Sequence, residues 1–170
     1  YTALSFDKNI IVINSFSKYF NMTGWRLGWL VAPENLVSAM DKLSQNIFLA
    51  APTPAQYAAL AAFNPETIAI LESHKKEFKQ RRDFLLPALK KLGFEIEVEP
   101  QGAFYIYANC EKFTNDSFQF SNDLLEKIGV AITPGKDFGD NHANTYVRIA
   151  YTTSISRLKE GIKRLTQYLT

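Results

Sequence analysis

Asn14-Ser15-Phe16-Ser17-Lys18-Tyr19-Phe20-Asn21-Met22-Thr23-Gly24-Trp25-Arg26-Leu27-Gly28-Trp29 carries most of the information in this chain. It puts a lysine directly after an apolar run, with two hydroxyls just before it. An arginine follows eight residues on, between two glycines. A lysine at the end of a buried strand is expected to be partly desolvated, which favours the neutral, nucleophilic amine. Such an amine forms Schiff bases with aldehydes. The two hydroxyls and a guanidinium fork suit a phosphate held nearby. Gly24 and Gly28 are expected to let the backbone turn tightly and approach a ligand.

Outward from that stretch, Asn9 to Phe16 is continuous, apolar and β-branched, which predicts a strand buried on both faces of a parallel sheet. Trp25 to Ala32 reads as a second strand. Pro33 opens a helix with Leu36, Val37, Met40, Leu43 and Ile47 at helical spacing. After the break at Ala50 to Pro54, Ala55 to Phe63 reads as another helix. A long helical pattern runs from Pro65 to a C-cap at Gly93. Ile68, Leu71, Phe78, Phe84, Leu85 and Leu89 are its expected buried residues, and Pro87 is expected to kink or interrupt it.

Phe94 to Val98 alternates apolar and acidic residues, as a half-buried strand does, and Ala103 to Ala108 is its expected hairpin partner. A helix closing over Leu124 to Ile128, strands at Val130 to Ile132 and Thr145 to Tyr151, and a last helix from Ser154 to Leu169 complete the pattern. Ser154 or Ser156 is the expected N-cap. This order fits an α/β protein: the edge of a covered sheet joined by a long helix to a small α+β lobe. The division falls between residues 63 and 64.

Composition narrows the function classes. With 46% hydrophobic and 21% charged residues the chain can offset its ordering entropy, so disorder is not expected. The net charge is only +2, and the basic pairs Lys75-Lys76 and Arg81-Arg82 sit among Glu72, Glu77 and Asp83. That is a solvated helix face, not a nucleic-acid footprint. The single cysteine, Cys110, cannot form an intrachain disulfide and fits a reducing compartment. His74 and His142 lack metal-pair spacing, and no stretch has the length of a membrane span. The chain opens without Met and reaches its dense stretch within fifteen residues, which reads as the middle of a larger protein.

Near the other end, Arg148 lies between Val147 and Ile149, so strand alternation turns it to the face opposite theirs. A charge on an otherwise apolar strand needs a partner, and a bidentate carboxylate is a good one. An internal ion pair with Asp or Glu is the competing account.

The segment from Asn14 to Trp29 resembles the lysine motif of the class I/II aminotransferases, fold type I enzymes that depend on pyridoxal 5′-phosphate. The family pattern, Ser-x-Ser-Lys followed by Gly-x-Arg-x-Gly, is matched without a gap. A second stretch, Gly129 to Gly135 with Phe138-Gly139 and Tyr146 to Ala150, is similar to the family's small-domain ending. Gln101 to Tyr105 also resembles a family element and takes no catalytic role here.

By this resemblance Lys18 carries the cofactor and is catalytic, Ser15, Ser17 and Arg26 bind its phosphate, and Arg148 binds the substrate α-carboxylate. The chain then covers residues 1–63 as the end of a large cofactor-binding domain and 64–170 as the small domain. Amino acid and 2-oxo acid substrates, a homodimer and a cytoplasmic setting are implied. The resemblance also places the phosphate-gripping glycine loop, the ring-stacking aromatic and the aspartate at the pyridine nitrogen upstream, so this chain alone is expected to be inactive. A carbon–sulfur β-lyase and a cofactor-sensing domain of a transcription regulator remain alternatives on the same scaffold.

Overall fold

The computed structural model describes residues 2–169. The chain divides into two compact units, Tyr1–Lys75 and Lys76–Thr170.

In the first unit, β1 (Val12–Ser15) and β2 (Gly28–Val31) pair antiparallel, Ser15 opposite Gly28 and Val12 opposite Val31. Helices α1 (Glu34–Phe48) and α2 (Thr53–Ala61) follow, and α3 (Pro65–Leu92) begins. The strand expected from Asn9 to Phe16 is thus shorter. It is neither parallel to a neighbour nor covered on its faces, for Ile13 is 78% exposed. A two-stranded ribbon has no layer of its own to lay over such residues. The apolar side of α1 is equally uncovered: Val37, Leu43 and Ile47 are all exposed, and the helix buries no residue among those described.

The small core of this unit lies instead under the turn between the strands, where Phe16 and Met22 pack with Ala59 and Ala62. Phe20, Trp29 and Phe63 complete an aromatic group around Phe16, with ring centroids 4.8 Å apart for Phe16 and Trp29 and 5.3 Å for Phe20 and Phe63.

The second unit is built on a three-stranded antiparallel sheet in the order β3-β5-β4, with β3 at Tyr105–Asn109, β4 at Thr133–Pro134 and β5 at Tyr146–Ala150. Alternation puts Ile106, Ala108, Val147 and Ile149 on the buried face. There they join Leu85 and Leu89 of α3, Phe120 and Leu124 of α4 (Ser117–Ile128), and Leu158 and Leu165 of α5 (Ile155–Leu169). Cys110 is buried in the same core, and burial pushes its thiol up to about 11.

Three departures from the sequence pattern have local causes. The helix runs through Pro87 as one element, because Pro87 and Asp83 both lie on its exposed side. Water can there take the carbonyl that the missing N–H leaves unpaired. The strand expected at 130–132 starts only at Thr133. Gly129 closes α4 at a left-handed φ of +64°, and the Val130 N–H is used on the Leu124 carbonyl, 3.0 Å away. Phe94 and Ile96 are buried as expected, but their segment meets β3 at one bridge, Glu95 with Asn109, since β3 pairs along its length with β5.

The helix ends are as the sequence predicts. Gly93, at φ +111°, caps α3, with the Phe94 N–H reaching back 3.2 Å to the Leu89 carbonyl. The Ser154 hydroxyl accepts from the Arg157 N–H at the start of α5. No helix among the described residues is long and apolar enough to cross a membrane.

Candidate active site

Residues 16–27, between β1 and β2, hold the lysine. The segment is pinned from inside by the buried Phe16 and Met22, whose backbones bond to each other at 3.1 Å. It is closed at its base by the Phe16 N–H donating to the Leu27 carbonyl at 3.1 Å. A ladder of side-chain bonds ties the rest together. The Ser17 N–H donates to Ser15 Oγ at 3.0 Å, the Thr23 hydroxyl donates to the Ser17 carbonyl, and Arg26 Nη1 donates to the Thr23 carbonyl at 2.8 Å. Ser15, Ser17 and Arg26 are therefore one connected unit in the turn that carries Lys18, with Thr23 as a link that the sequence did not single out.

The backbone strain of this turn is not on its glycines. Asn21 and Arg26 adopt left-handed φ values of +57° and +53°, whereas Gly24 and Gly28 do not. Holding a non-glycine residue there costs about 1–2 kcal/mol, and such outliers gather at functional sites. Gly28 has a packing role that the sequence did not predict. A Cβ on it would lie 2.7 Å from the Asn14 carbonyl oxygen, so it lets β2 approach β1.

Gly28→Ala is expected to lower the stability of the chain by about 1–3 kcal/mol, as overpacking against fixed backbone does. Gly24→Ala, with nothing within 4 Å, should change it little. Urea denaturation of the two variants checks this, and equal midpoints would refute it.

Lys18 itself is exposed, so the described residues do not supply the desolvation expected at a strand end. The ionic character of the segment does fit a phosphate-bearing aldehyde. Between Asn14 and Trp29 there are one amine, one guanidinium, three aliphatic hydroxyls and one phenol, and the segment contains no Asp or Glu. Beside Arg26 an open cavity of about 510 Å³ is lined by Asn21, Thr23, Gly24, Trp25 and the start of α2 at Pro52, Pro54 and Ala55.

Arg148 belongs to the second unit, at the middle of β5, with Tyr107 of β3 opposite it on one side and Thr133 of β4 on the other. As alternation predicts, it faces away from the core, on the same side as Tyr105, Tyr107 and Tyr146. Its guanidinium carbon lies 4.6 Å from the Phe138 ring centroid and 5.5 Å from that of Tyr105. Nη2 donates to Thr133 Oγ1 at 3.4 Å, and Nε is buried with no hydrogen-bond partner.

No carboxylate pairs with Arg148 among the described residues, whereas Arg81, Arg82 and Arg164 each have one. The Tyr107 ring stacks on Tyr146 at 5.0 Å and meets Phe138 edge-on at 6.1 Å. The Tyr146 hydroxyl donates to Glu97, whose carboxylate raises the phenol's pKa. Phe138 and Tyr105 had no role in the sequence reading. Both lie in stretches that resemble family elements, Gln101 to Tyr105 and Phe138-Gly139, but nothing in those stretches pointed to a contact with Arg148.

A family model described as aminotransferase class I and II matches residues 2–165. A (5-formylfuran-3-yl)methyl phosphate transaminase of Methanocaldococcus jannaschii is 42% identical over 99% of this chain and 45% of its own length. A valine–pyruvate aminotransferase of Mycobacterium tuberculosis is 40% identical over 96% of this chain and 42% of its own length. A solved aminotransferase from Mycobacterium tuberculosis superposes with a TM-score of 0.95 at 39% identity, covering 99% of this chain and 44% of that one. The chain thus spans less than half the length of the relatives it matches.

Proposed function

This chain belongs to the class I and II aminotransferases, and from that premise we propose that the full-length protein moves an amino group between an amino acid and a 2-oxo acid with pyridoxal 5′-phosphate. Residues 1–63 then end its large cofactor-binding domain and 64–170 form its small domain. A cytoplasmic homodimer is the setting implied by the family.

The observation that supports the reading is the turn carrying Lys18, in which hydrogen bonds link Ser15, Ser17, Thr23 and Arg26 into one unit. Bound pyridoxal phosphate supplies an electron sink that acidifies the substrate Cα–H. Lys18 holds that cofactor through its amine. The Ser15 and Ser17 hydroxyls and the Arg26 guanidinium hold the phosphate, a dianion suited to such a fork. With the cofactor bound, Lys18 Nζ would accept the Cα proton as a general base. With an oxo acid it delivers the proton back, running the same step in reverse. Arg148, its N–H edges unclaimed by any described carboxylate, fixes the substrate carboxylate and so orients the Cα–H bond.

The test is covalent. Treating the full-length protein with pyridoxal phosphate and borohydride, then mapping the reduced adduct by mass spectrometry, is expected to find it on Lys18 alone. Label spread over many lysines would remove the assignment.

A further inference from the structure

We propose that Phe138, with Tyr105, is a positioning residue: the rings hold the Arg148 guanidinium in the pose that receives the substrate carboxylate. The inference rests on the carboxylate-binding role proposed above for Arg148, and extends it to what keeps that side chain in place.

An arginine that must capture a carboxylate has to be ordered beforehand without spending its donors. A structural carboxylate would order it but occupy the fork. A ring face restrains a guanidinium through the ring quadrupole and leaves the N–H edges available. Arg148 shows that second arrangement. Two rings border its guanidinium at 4.6 and 5.5 Å, one long bond reaches Thr133, and the buried Nε has no partner. Burial of Nε removes water from one edge of the cation, and the aromatic quadrupoles offset part of that loss.

Phe138 is itself placed with little freedom and no other evident task. It ends a 3-10 turn, Gly135–Phe138, whose first residue could carry no side chain: a Cβ on Gly135 would lie 2.5 Å from the Ala143 carbonyl oxygen and 2.8 Å from that of Tyr146. Phe138 is 48% exposed and stands outside the hydrophobic core, so the ring is not there to fill the interior. Its ring lies against the Arg148 guanidinium and meets Tyr107 at a near-perpendicular angle, and Tyr107 is backed in turn by Tyr146 and, through the Tyr146 hydroxyl, by Glu97. A ring half in solvent, buttressed from behind and laid against an arginine that no described carboxylate pairs, is arranged for that arginine.

The experiment compares Phe138→Leu and Phe138→Tyr in the full-length protein. With leucine, KM for the amino acid and for the oxo acid is expected to rise about tenfold, with kcat within about twofold. Tyrosine, which restores a ring, should return both to near the parent values. In parallel, the Arg148 Nε–H resonance should lie in a ring-current-shifted position in the parent and leave it in the leucine variant, while the Val147 and Ile149 methyl signals stay in place. An Nε–H signal that does not move on loss of the ring overturns the clamp, whatever the kinetics. A signal that moves while KM stays fixed overturns instead the carboxylate role on which the clamp depends.

Discussion

Lys18→Ala in the full-length protein is expected to lower kcat for transamination by at least about 10,000-fold. Two functions are lost together. The amine that holds the cofactor disappears, and so does the base that moves the Cα proton, a role worth about 100- to 10,000-fold by itself. The variant should still fold, because Lys18 is exposed and the packing of its turn comes from Phe16, Met22, Ala59 and Ala62. Thermal unfolding near the parent value is therefore the control. Rapid mixing with an amino acid, followed by absorbance of the cofactor chromophore, is the measurement. Turnover within tenfold of the parent would mean that another group moves the proton, and the assignment of Lys18 would fall.

The reason to expect so large an effect is the construction of the turn. Four hydrogen-bonded residues, a left-handed arginine and two buried anchors make a rigid frame around one exposed amine. Rigid placement of a reactive group before the substrate arrives is where enzymes gain most from structure. A lysine on a loose surface loop would not need Arg26 held at φ +53°.

How much of this was legible from the sequence follows from how local each feature is. The Lys18 turn was legible because its residues are contiguous and their order carries the chemistry. The direction of Arg148 was legible because alternation along a strand depends only on its neighbours, Val147 and Ile149. Burial was not. The apolar run of β1 and the apolar side of α1 give the pattern of covered elements, yet coverage depends on what packs over them, and the described residues provide no such layer.

The strained positions were misplaced for a related reason. Gly24 and Gly28 are permissive residues, but permissiveness does not say where the chain must turn, and the turn falls on Asn21 and Arg26. Phe138 lies in a stretch that resembles the family's ending, but its contact with Arg148 could not be read from the sequence. Its partner is ten residues away across a 3-10 turn, and only the folded sheet brings ring and guanidinium together.

Arg148→Leu should lower kcat/KM for both the amino acid and the oxo acid by about a thousandfold, in the range expected when one member of a desolvated charge pair is removed. Arg148→Lys should fall between, since an ammonium keeps the charge but cannot match both carboxylate oxygens in the plane of a fork. A loss of activity alone would not identify the carboxylate as the partner. The discriminating comparison uses a substrate whose carboxylate is replaced by the primary amide. The parent protein should reject that amide strongly, because the guanidinium would meet a neutral group. In the leucine variant the preference for acid over amide should collapse, because the group that distinguishes them is gone. If the variant instead loses the same factor with both substrates, Arg148 supports the site in some other way. The charge on β5 would then need a partner within the full-length protein and not in its substrate.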